Sequence, residues 1–188
     1  MQHHDRTLRI IGGNWRGRKI TFPQKDAVRP TGDRVRETLF NWLMHDIHGA
    51  RCLDLFAGSG ALGMEALSRG AESVVLVEQD RQVAKSIVAN LEKLGAADGS
   101  WIVETTDAYQ WSKTQKQAFD VIFLDPPFDD DSLSRLLIDI DTRGLARHYV
   151  YIETGKELTP DKLPTDWEIT RQKRAASVHY ALCRVTPD

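Results

Sequence analysis

The stretch Asp54-Leu55-Phe56-Ala57-Gly58-Ser59-Gly60 follows a short apolar run and precedes a segment with helical periodicity. Glycines in such a turn let the backbone approach a ligand closely, and the amides that begin the next helix favour electronegative groups. Gly58, Gly60 and Gly63 also fit the loose glycine spacing of dinucleotide sites, so spacing alone leaves a nicotinamide or flavin cofactor open. The stretch therefore predicts an α/β fold with a cofactor turn after a parallel strand.

Strand-like and helix-like segments alternate from this turn onward. Apolar runs predict strands over 51–56, 73–78, 101–104, 119–124 and 149–153, and helical periodicity predicts helices over 61–69, 80–94 and 132–140. Strands separated by helix-length segments imply right-handed crossovers and a mostly parallel sheet covered on both faces. Two further runs, 167–170 and 178–185, have no helix between them and predict an antiparallel hairpin at a sheet edge.

Two acidic residues follow the second and third of these strands. Glu78 lies 20 positions beyond Gly58, where a carboxylate can accept hydrogen bonds from ribose hydroxyls. Asp107 can accept from an adenine amino group, or it can begin a helix as its N-cap. Strand, glycine turn, helix, strand and acid in this order predict a nucleoside-containing cofactor.

Asp125-Pro126-Pro127-Phe128 follows the fourth predicted strand, at the carboxyl edge where open α/β sheets bind their ligands. Pro126 and Pro127 have no amide donor, so this corner offers only acceptors, which suits a substrate that donates N–H bonds, such as an exocyclic amine. Phe128 can stack on a base lifted out of its helix. The alternative is a turn that merely ends a strand, and the double proline with an aromatic residue argues against it.

Basic residues are concentrated at the start of the chain. The first 36 residues carry nine Lys or Arg and three Asp, a net charge of +6, whereas the remainder carries 16 basic and 24 acidic residues, a net charge of −8. This asymmetry indicates one segment that meets a polyanion and a body with another task. Apolar residues on both sides of the glycine-rich stretch 12–17 predict two short strands rather than a flexible tail. We therefore expect a basic β-hairpin over residues 1–30 and a catalytic domain over residues 31–188.

An amphipathic helix follows the hairpin. It is predicted to begin with Thr31 or Asp33 as N-cap and to end before Gly49. Arg34 and Arg36 fall in its first turn, where the helix dipole opposes a cation. Their guanidinium groups are therefore either solvated or held by an anion.

Composition excludes several classes of protein. Two cysteines 131 positions apart give no disulfide framework and cannot form a zinc site alone. Cys52 and Cys183, each inside a predicted strand, are poorly placed to act as nucleophiles. No apolar run approaches 18 residues, and the first residues lack the apolar stretch of a signal peptide. We expect a cytoplasmic monomer with no metal ion and no membrane contact.

These motifs resemble those of class I S-adenosylmethionine-dependent methyltransferases, and residues 8–19 and 29–40 resemble the RsmD-type 16S ribosomal RNA guanine-N2 methyltransferases. The resemblance covers nearly the whole chain and implies a Rossmann-like fold. It implies S-adenosylmethionine contacts at Asp54, Phe56, Ala57, Gly58, Ser59, Gly60, Glu78, Gln79, Asp107 and Ala108. The catalytic positions that it implies are Asp125, Pro126, Pro127 and Phe128. The predicted RNA contacts are Arg9, Arg16, Arg18, Lys19, Arg29, Arg34 and Arg36.

The implied reaction is methyl transfer to the exocyclic N2 of a guanine in small-subunit ribosomal RNA. Asp125 and the Pro126 carbonyl would hold the amine hydrogens, and either Asp125 or water would take the proton. Adenine-N6 methylation of DNA and glutamine methylation of protein need the same acceptor corner and stay open. An oxidoreductase that uses nicotinamide and a non-catalytic RNA-binding module are the alternatives from other classes.

Overall fold

The computed structural model describes residues 5–25, 31–127 and 130–186, with only the backbone at 130 and 131. The strands are β1 (Asp5–Arg9), β2 (Lys19–Pro23), β3 (Arg51–Asp54), β4 (Ser73–Val77), β5 (Trp101–Glu104), β6 (Phe119–Leu124), β7 (Ala146–Thr154), β8 (Trp167–Ala175) and β9 (Val178–Val185). The helices are α1 (Asp33–Trp42), α2 (Ala61–Ser68), α3 (Arg81–Leu94), α4 (Ala108–Thr114) and α5 (Asp130–Thr142). Within the described ranges, no helix combines the length and the apolar character needed to cross a membrane.

The central sheet has the strand order β5-β4-β3-β6-β7-β9-β8. The pairs from β5 to β7 are parallel, and β9 pairs antiparallel with both β7 and β8. The predicted parallel sheet with an antiparallel C-terminal edge hairpin is confirmed. The order reverses between β3 and β6, and open α/β sheets bind their ligands at the carboxyl ends of the strands at such a point.

Two apolar layers cover the sheet, because successive strand residues point to opposite faces. Cys52 and Val121 belong to the layer under α1, α2 and α3, whereas Leu53 and Ile122 belong to the layer under α5. The predicted N-terminal hairpin is present as β1 and β2, which pair antiparallel. Ile20 of the hairpin joins the first of these layers and Phe22 packs on Val83 of α3, so the hairpin is packed on the sheet domain.

Three local features differ from the sequence predictions. α1 ends at Trp42, and the chain continues as turns that still bury Ile47. Helix α4 was not predicted as an element, because it is short and begins at a residue with two possible roles. Strand β8 extends to Ala175 although its second half is polar, because β9 supplies its hydrogen-bond partner along the whole length.

Candidate active site at the carboxyl edge of the sheet

The glycine turn between β3 and α2 is fixed by one buried carboxylate. Asp54 ends β3, and its Oδ2 accepts from the amide of Gly63 in the first turn of α2 at 3.0 Å. Gly60 precedes α2 with a φ of +76°, and a Cβ there would lie 2.8 Å from Met64 Cε. A Cβ at Gly63 would lie 2.7 Å from Leu76 Cδ2 on β4. The glycines therefore allow the left-handed turn and the close packing of α2 on the sheet.

Glu78 holds the same turn from the end of β4. Its Oε2 accepts from the amide of Gly58 at 2.9 Å, and its Oε1 accepts from the amide of Asp80 at 2.7 Å. Burial raises the pKa of Glu78. Each carboxylate oxygen keeps a second lone pair, so Glu78 can still accept hydrogen bonds from a ligand.

Asp107 begins α4 as its N-cap, and its Oδ1 accepts from the amide of Gln110 at 2.9 Å. The helix-cap role is therefore confirmed, and the contact with adenine stays a prediction. Ala108 is buried beside it, whereas Gln79 is exposed. The predicted cofactor residues all lie at the carboxyl ends of the neighbouring strands β3, β4 and β5, in the loops that follow them, or, for Ala108, at the start of α4.

The acceptor corner, Asp125-Pro126-Pro127, follows β6 directly and lies beside the glycine turn. The amide of Leu55 donates to the carbonyl of Phe123 at 3.2 Å, which joins the ends of β3 and β6. Pro126 is buried and Pro127 is exposed, and the predicted stacking residue Phe128 lies outside the described residues. Two successive prolines leave this corner with carbonyl and carboxylate acceptors only.

Three carboxyl groups come together on one face of the sheet at this edge. Asp54 is in register with Phe123 and Phe123 with Tyr151, and Asp125 and Glu153 each lie two residues further along the same face. We call Asp54, Asp125 and Glu153 the carboxyl pocket. None of the three has an ion-pair partner among the described residues.

The pKa values of the carboxyl pocket are raised. Burial raises the pKa of Asp54 to about 7, and the charges of Glu78 and Glu153 add to this effect. Burial raises the pKa of Asp125 well above its ordinary value, and the charges of Glu153 and Asp54 act in the same direction. The pocket is therefore able to hold a proton under conditions in which ordinary carboxyl groups are ionised.

Glu153 was not among the predicted site residues. It is 5% exposed, and its Oε1 accepts from the hydroxyls of Tyr151 and Thr31, both at 2.9 Å. The prediction of Thr31 or Asp33 as the N-cap of α1 is wrong, because Gly32 takes that position and α1 begins without a side-chain cap. The signal for Glu153 in the sequence is a charged residue near the end of an otherwise apolar strand.

Comparison with known proteins places the chain in a family. The family model described as "Conserved hypothetical protein 95" matches residues 8–184. The chain belongs to this family. It is 43% identical over 177 residues to "Ribosomal RNA small subunit methyltransferase D" of Escherichia coli, covering 93% of this chain and 88% of that protein. The resemblance to RsmD-type methyltransferases is confirmed.

Solved structures agree with this membership. "Putative methyltransferase yhhF" from Escherichia coli superposes with a TM-score of 0.86 at 42% identity, covering 95% of this chain and 98% of that chain. Magnesium protoporphyrin IX methyltransferase from Synechocystis, solved with bound S-adenosylmethionine, shares the fold with a TM-score of 0.65 at 13% identity, covering 81% and 79% of the two chains. The predicted class I methyltransferase fold is confirmed, and the individual site contacts stay predictions.

The N-terminal hairpin of this family member is fastened to α2 by Glu65, which is fully buried. Glu65 Oε1 accepts from the amide of Gly12 and from Arg69 Nε, each at 2.8 Å. Its Oε2 accepts from the amide of Ile11 at 2.9 Å and from Arg36 at 3.4 Å. One carboxylate therefore binds two backbone amides of the hairpin turn and two arginines.

The glycines of the hairpin turn allow it to lie against the end of α2. Gly13 has a φ of +73°, and a Cβ there would lie 1.8 Å from the Ser68 carbonyl oxygen. The Ser68 hydroxyl donates to the Gly12 carbonyl at 2.6 Å and accepts from the Trp15 amide at 2.9 Å. The hairpin is thus held rigidly on the sheet domain, and the predicted boundary at residue 30 lies outside the described residues.

Arg36 is fully buried, so its predicted contact with RNA is wrong. Its guanidinium group donates to Asp33 Oδ1 at 2.6 Å, to the Arg9 carbonyl at 2.9 Å and to Glu65 at 3.4 Å. The arginines in the first turn of α1 were expected to be either solvated or held by an anion. Arg36 is held by anions, which are the carboxylates of Asp33 and Glu65. Arg34 is exposed.

The other predicted RNA contacts differ in their surroundings. Arg18 donates to the carbonyls of Lys93 and Leu94, so it caps the C-terminus of α3. Arg29 lies outside the described residues. The remaining predicted contacts are exposed and have no ion-pair partner among the residues that the structure describes: Arg9, Arg16, Lys19 and Arg34.

Proposed function

We propose that this protein transfers a methyl group from S-adenosylmethionine to the exocyclic N2 of a guanine in small-subunit ribosomal RNA. The observation that carries the proposal is the acceptor-only corner Asp125-Pro126-Pro127, which lies beside the glycine turn at the point where the strand order reverses. Family membership supports an S-adenosylmethionine-dependent ribosomal RNA methyltransferase, and the resemblance to RsmD-type enzymes supports guanine N2 as the acceptor atom.

The groups around the glycine turn fit a nucleoside-containing methyl donor. Glu78, fixed by the Gly58 amide, would accept from the ribose hydroxyls, and Asp107 would accept from the adenine amine. The first amides of α2 have no partner within the helix and would face electronegative groups. Bound S-adenosylmethionine supplies an electrophilic methyl group. Asp54 holds the first turn of α2 in place through Gly63.

The acceptor corner would orient the guanine amine. This amine is a weak nucleophile because its lone pair is delocalised into the ring. The Asp125 carboxylate and the Pro126 carbonyl would accept its two N–H bonds and direct the lone pair at the methyl group. Phe128, two positions after Pro126 in the sequence, would stack on the base.

The carboxyl pocket gives Asp125 a proton-accepting role that an ordinary carboxylate would fill poorly. General-base catalysis is most effective when the pKa of the base lies near the operating pH. Burial and the neighbouring charges of Glu153 and Asp54 raise the pKa of Asp125, which makes it a stronger base than an ordinary carboxylate. Asp125 would therefore take the proton that the amine loses after transfer, rather than leave it to water.

Cytosine C5 methylation requires a nucleophilic cysteine, and neither cysteine of this chain is suited to that role. Cys52 and Cys183 are both buried inside strands. Burial raises the pKa of Cys183 to about 12 and raises that of Cys52 above its ordinary value as well. A thiolate nucleophile is therefore disfavoured at both positions.

The exposed cations of the N-terminal hairpin and of α1 would contact the RNA backbone. Arg9, Arg16, Lys19 and Arg34 are exposed and have no ion-pair partner among the described residues, so their charge is available to phosphates. The hairpin is held on α2 through Glu65, so these contacts would be made at a fixed position relative to the site.

The proposal includes a cytoplasmic monomer that works without a metal ion. A ribosomal RNA substrate supports the cytoplasm as the compartment. Among the described residues, no group of three or more His, Cys, Asp or Glu is placed to hold a metal. Size-exclusion chromatography with light scattering tests the monomer, and activity retained in a chelating buffer tests the independence from metal.

The function is tested with labelled S-adenosylmethionine and unmodified small-subunit RNA or particles, followed by mapping of the methyl group. We expect label at N2 of a single guanine, and label at adenine N6 or no transfer would contradict the proposal. Asp125→Asn should lower turnover at least 100-fold while the affinity for S-adenosylmethionine stays unchanged. Asp98→Asn, in an exposed loop at the opposite edge of the sheet, is the matched control and should keep full activity.

A further inference from the structure

The C-terminal hairpin carries cations that the proposed function does not use. Arg171 and Lys173 lie on the edge strand β8, both exposed, and neither has an ion-pair partner among the described residues. Arg184 on the paired strand β9 is different, because it forms an ion pair with Glu168 at 2.7 Å. Arg171 donates to the Thr170 carbonyl at 2.8 Å, a contact that orients the side chain without neutralising its charge.

Strand directions place these cations at the edge of the sheet that holds the carboxyl pocket. β7 runs parallel to β3 and β6, β9 runs antiparallel to β7, and β8 runs antiparallel to β9. β8 therefore ends at the same edge as β6 and β7. The two strands of the hairpin are paired up to Ala175 and Val178, so the cations lie on ordered backbone rather than in a loop.

The pairing register gives a continuous row of cross-strand neighbours from Asp125 in the acceptor corner to the edge strand β8. Leu124 is in register with Ile152, so Asp125 lies beside Glu153, and Glu153 pairs with Tyr180, which pairs with Lys173. Cross-strand partners share a face of the sheet. Three strand spacings separate Asp125 from Lys173, about 14 Å.

Arg171 lies on the same face as this row. It pairs with Leu182, which belongs to the apolar layer under α1 together with Phe123 and Tyr151. Phe123 precedes Asp125 by two residues on that face. Two cations with no ion-pair partner among the described residues therefore lie on the face of the carboxyl pocket, toward the edge strand β8.

We propose that Arg171 and Lys173 bind backbone phosphates of the RNA substrate next to the target base. The inference rests on the proposed function and deepens it, because it gives the RNA a second contact surface. A base held at Asp125 brings the phosphates of neighbouring nucleotides over the row that ends at Lys173. Charged residues on an edge strand also prevent pairing with other sheets, and this role predicts a different experimental result.

The test compares the double variant Arg171→Gln/Lys173→Gln with the control Arg184→Gln, which lies on the same hairpin. Binding to unmodified small-subunit RNA is measured over a range of salt concentrations, together with S-adenosylmethionine affinity and solubility. The double variant should raise the Kd for RNA roughly 10- to 30-fold at about 0.15 M salt. It should reduce the slope of log K against log salt by about 0.7 to 0.9 per cation, with unchanged S-adenosylmethionine affinity. The control should bind RNA like the wild type.

An RNA affinity and salt slope equal to those of the wild type would overturn the proposal, and so would an equal loss in Arg184→Gln. Reduced solubility with unchanged RNA binding would assign the two cations to edge protection alone and overturn it as well. A wild-type protein that binds RNA in this way but transfers no methyl group would contradict the proposed function, while the salt dependence would still support the hairpin contact.

Discussion

Glu65 and the carboxyl pocket lie on the same side of one sheet, and their carboxylates differ in their partners. Glu65 is bonded by Arg36 and Arg69 and by two backbone amides, so its charge is fully compensated. The carboxyl pocket of Asp54, Asp125 and Glu153 has no cation among the described residues. Burial with compensation gives a structural anchor, whereas burial without it gives groups with raised pKa values, which is what proton chemistry requires.

The largest expected effect is on stability, from Glu65→Gln. The variant leaves Arg36 buried without a full counter-charge, which costs about 3–5 kcal/mol of unfolding free energy. Asp125→Asn should leave stability equal or higher, because it removes a desolvated carboxyl group that has no ion-pair partner among the described residues. Urea unfolding at neutral pH measures both, with Glu37→Gln on the exposed side of α1 as control. Similar changes in unfolding free energy for Glu65→Gln and Asp125→Asn would mean that Glu65 and the carboxyl pocket do not differ in their contribution to stability.

The second effect is on the pH dependence of stability, from which Asp54→Asn should remove one contribution. The pKa of Asp54 is raised from 3.8 to about 7 in the folded state, so the folded protein binds this proton more tightly than the unfolded chain. The stabilisation is complete below about pH 4 and is lost as the pH rises through about 7, up to about 4 kcal/mol in total. The urea midpoint of the wild type should rise relative to that of the variant as the pH falls from about 7 to about 4. A constant difference would contradict the raised pKa.

A smaller effect is expected on the pH profile of activity, from Glu153→Gln. The variant keeps an acceptor for the Tyr151 and Thr31 hydroxyls but removes one of the negative charges that raise the pKa of Asp125. Asp54 remains as a negative neighbour. Asp125 then ionises at lower pH, so the rise of kcat with pH should move to lower pH. A profile identical to that of the wild type would show that Glu153 does not act on Asp125.

The smallest effect is expected from Thr31→Val, which removes the hydroxyl that donates to Glu153. Loss of one partly buried hydrogen bond costs about 1 kcal/mol. Thr38→Val, whose hydroxyl bonds to an exposed carbonyl of α1, is the control and should cost less. Thermal unfolding compares the two, and equal losses would mean that the Thr31 bond contributes nothing beyond an ordinary surface contact.

The sequence was informative where structure depends on neighbours in the chain. The strand pattern, the glycine turn and the Asp125 corner are local signals, and the structure places the turn and the corner at the same edge of the sheet. The anchors were missed because they join distant residues: Glu65 is 53 positions from Gly12, and Thr31 is 122 positions from Glu153. Arg36 shows the same limit, because only its burial against Glu65 distinguishes it from the exposed Arg34 beside it in the first turn of α1.

Helix α2 fixes the distance between the glycine turn and the N-terminal hairpin. The amide of Gly63 at one end is bound by Asp54 beside the glycine turn, and Ser68 at the other end holds the turn of the N-terminal hairpin. Five residue steps of helix separate Gly63 from Ser68, a rise of about 8 Å. Under the proposed function, this helix sets how far the phosphates bound by the hairpin lie from the base to be modified. Substrate choice would then include a length criterion: a guanine at another separation from those phosphates would not reach Asp125.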